Sequence, residues 1–259
     1  MSGGGLASVS LALAGRHLKK LRKDPGLFMP TLVMPLFFFL AFAGGLSAVG
    51  DTKDFGYPDY TSFVFVFVMF QGVSYCGVFT AFALADDLES GFARRILLNT
   101  PRRVAIISGF ALAALVQAIA NAAALFAIGA VAGMQISGSV PQLLTMFAIA
   151  LVLNVVVTLF AAGLALRLRS NQAGSLMLTP IFIALFLAPV YVPRELLTGW
   201  LKTAAGLNPL TPLIEACRGL LVGNPVSVGL AFACAAGLAA ALSVWALTGL
   251  RSAERSGLK

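Results

Sequence analysis

The sequence predicts an all-α membrane protein with six spanning helices. Three observations predict it: the composition, the length of the uncharged runs, and the sorting of basic residues between them. Of 259 residues, 59% are hydrophobic and 11% charged, with a mean hydropathy of +0.93. A soluble domain carries about a quarter charged residues, and a globule of this composition lacks the polar surface to cover itself. A bilayer removes that requirement.

A spanning helix needs about 20 mainly apolar residues. Six runs answer to this within a single transmembrane domain covering 1–259: residues 27–49, 61–85, 104–134, 143–166, 176–193 and 225–250. The first holds Pro30 and Pro35. The fifth, the shortest, holds Pro180 and Pro189. A polar, basic stretch of some 25 residues precedes the first run, so no cleavable signal peptide is expected.

The basic residues orient these runs. With both termini in the cytoplasm, the inner segments hold Arg16, Lys19, Lys20, Arg22 and Lys23; Arg94, Arg95, Arg102 and Arg103; Arg167 and Arg169; and Arg251, Arg255 and Lys259. Those are 14 of the 18 Lys and Arg residues, leaving Lys53, Arg194, Lys202 and Arg218 outside. Such asymmetry is the cytoplasmic bias of basic loops. It also accounts for the net charge of +8 without a nucleic-acid partner.

Three segments between or before the spans carry their own pattern. Residues 6–26 place Leu6, Val9 and Leu13 at helical spacing with most basic residues opposite, the pattern of a helix lying in the membrane interface. Residues 86–103 place Leu88, Phe92 and Ile96 on one stripe, with Asp86, Asp87 and Glu89 leading and Arg94 and Arg95 following. That order suits the helix dipole and predicts a short cytoplasmic amphipathic helix. Residues 194–224 are too polar to span and too apolar for a solvated loop. They divide at Asn208–Pro209 into two half-helices, either re-entrant from outside or a surface cap.

Chemistry-bearing motifs are sparse. No lysine follows a glycine, which excludes a GxxxxGK[ST] phosphate loop. Cys76, Cys217 and Cys234 form no CxxC pair, the lone His17 reads as incidental, and neither a metal site nor a catalytic set is expected. The spans hold no ionisable residue of the kind that coupled carriers keep as an ion site. Their polar residues are Gln71, Gln117, Asn121, Asn154 and Thr158, candidates for a weakly polar translocation path or for hydrogen bonds between helices. Phe63, Phe65, Phe67 and Phe70 keep open an aromatic path for sugars, but they cover more than one face of the second span and read first as lipid-facing packing.

The order of parts, with Glu89-Ser90-Gly91 through Leu97 to Thr100-Pro101 and Asn208-Pro209-Leu210-Thr211 through Glu215 to Arg218-Gly219, resembles the permease subunit of type 2 ABC exporters, the daunorubicin-resistance-like permeases of bacteria in particular. The resemblance implies a multi-pass protein of the bacterial inner membrane that exports hydrophobic drugs or lipids. It implies two protomers, identical or different, bound to two separate ATPase subunits that carry ATP and magnesium, with no cofactor on this chain. Coupling to the ATPase would fall to Asp87, Glu89, Phe92, Arg94 and Arg95, with Arg16 and Arg22 as a second contact. Glu195, Asn208, Pro209, Glu215 and Arg218 would form the outer cap, the charged three expected to pair with one another. Export of polysaccharides, polyketides or glycolipids is the alternative within the family. A membrane-embedded lipid-modifying enzyme is the alternative outside it, for which Asp86 and Asp87 are the only adjacent acidic pair at a span end.

Overall fold

The computed structural model describes residues 6–24, 26, 28–52, 55–91, 104–170 and 174–257, with the side chains of 6 and 253–257 left aside. Among these residues there are nine α-helices, two single 3-10 turns and no strand. The helices are α1 Leu6–Lys23, α2 Met29–Gly45, α3 Tyr60–Glu89, α4 Val104–Val131, α5 Val140–Leu168, α6 Gly174–Phe186, α7 Gly199–Leu207, α8 Thr211–Leu221 and α9 Val228–Gly257.

Four helices are long and apolar enough to cross a bilayer by length and composition: α3, α4, α5 and Val228–Ser252 of α9. At 1.5 Å per residue, α3 alone extends about 45 Å, against a hydrocarbon core of about 30 Å. Helices α2 and α6 are apolar but shorter. Both contain an internal proline, Pro35 and Pro180, which removes a backbone donor and strains the turn before it. The chain is therefore a multi-pass membrane protein.

Helix α3 is the axis of the fold, with α2, α4, α5, α6 and α8 all packed on it. Its apolar residues run all round, and so does its burial: Phe63, Phe65, Phe67 and Phe70 are each 0–1% exposed. The expectation that these phenylalanines face lipid is thereby corrected. A helix apolar on every face goes to the centre when enough other helices are present to enclose it. Phe67 meets Phe38 of α2 and Phe186 of α6 edge to face at ring-centroid distances of 6.5 and 5.1 Å. The exposed large apolar residues lie instead on outer helices, with Met29, Val33, Phe37 and Leu40 of α2 forming one stripe.

Asp59 starts α3 by accepting from the Ser62 amide at 2.7 Å, as an N-cap does. The helix continues through Asp86, Asp87, Leu88 and Glu89, so the first four residues of the expected 86–103 segment extend the span. It ends where Gly91 takes a left-handed φ of 75°, the conformation that terminates helices and suits glycine. Phe92, Arg94 and Arg95 lie outside the described residues.

Candidate functional site

At the Asp87 end of α3 the structure ties α1 to the bundle. Asp87 accepts two hydrogen bonds from the Arg16 guanidinium, at 2.6 and 3.0 Å. It is the one salt bridge among the described residues. Arg16 remains partly exposed, so a bidentate pair of this kind contributes about 0.5–1 kcal/mol; its value is in fixing position. Next to it, Leu13, Ala14 and His17 pack under α1, and the Ser10 hydroxyl lies 2.7 Å from that of Ser108. A Cβ on Gly109 would stand 2.9 Å from that of Leu13, so α1 crosses α4 at closest approach there. Arg22 is exposed on α1, and Glu89 is exposed at the last residue of α3.

His17 is not incidental to this packing: its ring lies 5.8 Å from that of Phe110 and the residue is buried. Burial, assisted by Lys20 and Arg16 and opposed by Asp87, lowers its pKa to about 4. The imidazole is neutral when α1 is docked. Undocked, it takes up a proton near the ordinary value of about 6.5. The undocked state therefore binds more protons between those two values, and docking weakens as pH falls through that window. The protection factors of α1 amides, with intrinsic exchange at each pH divided out, are expected to fall between pH 6.5 and 4.5, and His17→Phe to remove most of that fall. An unchanged pH profile in the variant would assign the effect to another group.

In the middle of the bundle three of the four buried amides join helices. Asn121 of α4 donates to the Thr31 carbonyl of α2 at 2.9 Å, and Asn154 of α5 donates to the Val73 carbonyl of α3 at 2.7 Å. Thr80 donates to Gln117 Oε1 at 3.2 Å, and Gln71 donates to Tyr75 on its own helix at 3.3 Å. Gln117 and Asn121, one helical turn apart, thus point to different partners. All four amides are buried at 0–3% exposure, and each retains one atom with no partner: Gln71 Oε1, Gln117 Nε2, Asn121 Oδ1 and Asn154 Oδ1.

At the Tyr60 end, α8 packs on α3, and α7 precedes it. Asn208 makes the break between them: its amide donates to Ala184 O at 2.6 Å while its Oδ1 accepts from the Leu210 amide at 3.0 Å. Pro209 and Glu195 are exposed beside it, and Glu215 is half-buried. Arg218 is 1% exposed and lies flat over the Phe63 ring, 3.4 Å from its centroid. Its Nε donates to Phe63 O at 2.9 Å and one Nη to Pro189 O at 2.6 Å. Arg218 is therefore held by carbonyls and a π face, not by Glu195 or Glu215 as charge alone had suggested. Burial lowers its pKa to about 10 and raises that of Glu215. Phe55, Tyr57, Arg194, Glu195, Glu215 and Arg218 line a cavity of about 360 Å³ at this end.

One anchor had no sequence signal. Arg167 of α5 stacks 3.6 Å from the centroid of Trp245 on α9 and donates to Thr248 at 2.7 Å. A basic residue at a span end reads as topology, and its partner lies 78 positions away.

The chain is thus a helical membrane bundle with α1 clamped to one end and a broken helix pair at the other. The family comparison specifies its class. The ABC-2 type transporter family model matches residues 9–222, and the chain belongs to that family. It is also similar to a daunorubicin resistance ABC transporter permease protein of Streptomyces coeruleorubidus, at 25% identity over 240 residues, spanning 90% of this chain and 82% of the relative.

Proposed function

We propose that this chain is the membrane-spanning subunit of an ATP-driven ABC exporter in a bacterial inner membrane, moving hydrophobic drugs or lipids outward. Two such protomers work with two separate ATPase subunits, which bind ATP and magnesium. The observation that carries this reading is the family match across residues 9–222. The drug-resistance permease among its relatives points to the cargo class. Burial of Phe63, Phe65, Phe67 and Phe70 withdraws them as an aromatic sugar path, so drugs or lipids stand ahead of polysaccharide.

The remaining spans and the orientation belong to the same proposal. Helices α2 and α6, shortened by their prolines, complete a set of six with α3, α4, α5 and α9, and both termini are cytoplasmic. The distribution of charge supports this. Arg16, Arg167 and Arg169 gather at the Asp87 end, and Arg194 and Arg218 at the Tyr60 end, in keeping with cytoplasmic basic loops. The unpaired atoms of Gln71, Gln117, Asn121 and Asn154 are the groups a cargo meets when the bundle opens. Each is already desolvated at a cost of about 1–3 kcal/mol. At the outer end, Glu195, Asn208, Pro209, Glu215 and Arg218 form the cap.

ATPase closure reaches the bundle through Asp87, Glu89, Phe92, Arg94 and Arg95, and through α1 by way of Arg16 and Arg22. Asp87→Ala is expected to reduce ATPase stimulation several-fold while insertion and thermal stability stay near wild type, since the pair it breaks is partly exposed. The exchange Arg16→Asp with Asp87→Arg is expected to recover a substantial part of the coupling. Stimulation at the wild-type level in Asp87→Ala and in Glu89→Ala would remove these residues from the coupling route.

A further inference from the structure

Helix α2 begins inside the bilayer, not at its edge. Thr80 of α3 donates to Gln117 of α4, and Asn121, one turn further along α4, donates to the Thr31 carbonyl in the first turn of α2. Counted from the Glu89 end of α3, these steps put the foot of α2 about 20 Å along the bundle. A Cβ on Gly72 of α3 would collide with Asn121 Oδ1, which fixes that height independently. A helix of about 45 Å centred on a hydrocarbon core of about 30 Å projects about 7 Å at each end. The foot of α2 therefore stands about 12 Å within the hydrocarbon.

The chain reaches this foot from the last turn of α1. Lys20 shares a cavity wall with Phe82 and Asp86, which places that turn at the edge of the hydrocarbon. Lys19, Lys20, Arg22 and Lys23 crowd it, and all four are exposed. None of the four forms an ion pair among the described residues. Asp24, the nearest acid in the chain, turns back to accept from the Gly26 amide at 3.2 Å. Like charges three and four residues apart on a helix repel each other. Uncompensated positive charge thus stands at the height where a bilayer carries its phosphates.

We propose that the last turn of α1 binds the phosphate of an anionic phospholipid in the leaflet at the Asp87 end, with Lys19 and Lys23 as its contacts. These two lie one turn apart on a single face. That face is opposite the one on which Ser10, Leu13, Ala14 and His17 are buried, so both ammonium groups are open to a ligand. Apolar surface for acyl chains is close by in the chain: Leu11 is 61% exposed, and the stripe of α2 starts at Met29. A zwitterionic lipid brings the same phosphate with an ammonium that offsets the attraction, so the site selects net negative headgroups. Held there, the lipid steadies the end of α1 that follows the Arg16–Asp87 bridge. The proposal requires nothing of cargo or ATPase and stands apart from the export reading.

The experiment uses the full-length chain in detergent, without ATPase or nucleotide, and native mass spectrometry of its lipid adducts. Phosphatidylglycerol and phosphatidylcholine with identical acyl chains are added together at equal concentration. The wild-type chain is expected to retain one phosphatidylglycerol saturably, with a preference of about tenfold, the scale of two lysines acting on a surface anion. The double variant Lys19→Gln, Lys23→Gln is expected to bring the two lipids close to level. Both positions are exposed, so folding is not at stake. Arg251→Gln, at an exposed cation of α9, is the control and is expected to keep the preference. Equal retention of the two lipids by the wild-type chain would overturn the site. A preference that survives in the double variant, or falls as far in Arg251→Gln, would overturn its location. Displacement of the lipid by millimolar inorganic phosphate would show a site for soluble anions and overturn the lipid as its occupant.

Discussion

Arg218→Ala is expected to destabilise the protein by about 2–4 kcal/mol, the cost of a large emptied site and of two lost charge-assisted hydrogen bonds. Three losses combine. The Phe63 and Pro189 carbonyls lose the donors at 2.9 and 2.6 Å, the Phe63 ring loses the guanidinium over its face, and the site empties. Those contacts reach from α8 to the first turns of α3 and to the turn after α6, so one side chain holds three elements together. Arg218→Met restores most of the volume and neither hydrogen bond; its loss is expected to be about half that of alanine. Arg218→Lys keeps the charge without a guanidinium plane for the ring and should fall nearer alanine. Unfolding temperature in detergent, followed by loss of the monodisperse chromatographic peak, measures all three. Equal stability of alanine and wild type would mean that α8 is held elsewhere.

Gly138→Ala is the second large effect, and it acts through space alone. A Cβ there would collide with the Leu220 carbonyl oxygen and stand 3.1 Å from that of Leu221. Both are backbone atoms of α8 with no rotamer to turn aside. The Gly138 amide also donates to Leu221 O at 2.9 Å, beside Ser137 at 3.2 Å. The connection between α4 and α5 therefore lies directly on the C-terminal turn of α8. The substitution must push them apart and break both bonds, at a cost of about 3 kcal/mol, the upper part of the overpacking range. Gly229→Ala, with open space around it, is the control and is expected to change stability by less than about 0.5 kcal/mol. The same chromatographic melting assay checks both. A Gly138→Ala protein that melts with the control would show that the connection is free to move off α8.

Length and periodicity made the long helices legible, because a run of 25 or more uncharged residues has few alternatives to a span. The same all-round apolarity concealed which helix is central. Phe63, Phe65, Phe67 and Phe70 carry no facial bias, and only the presence of five packed neighbours encloses them. The charge pattern placed Asp86 and Asp87 at the start of a separate cytoplasmic helix, yet the helix already propagating through Leu84 continues until Gly91 turns left-handed. His17 read as incidental on an apolar edge of α1. It is part of that edge, since a neutral imidazole packs as a half-aromatic plane once α4 covers it. Arg218 read as half of a charge pair, whereas the fold supplies carbonyls from residues 155 and 29 positions away. Pairings at that separation leave no local trace, which is also why Thr31, Thr80 and Trp245 were not singled out as partners.

The central claim is that this chain is a membrane pathway that receives its energy from a separate protein at the Asp87 end. Co-expression with candidate Walker-A ATPase subunits, followed by purification through a tag on the permease alone, tests that claim most directly. The account predicts a stable assembly of two permeases and two ATPases whose ATP hydrolysis exceeds that of the free ATPase and falls in the Asp87→Ala variant. A permease that elutes without the ATPase, and leaves its hydrolysis rate unchanged in lipid as in detergent, would contradict it.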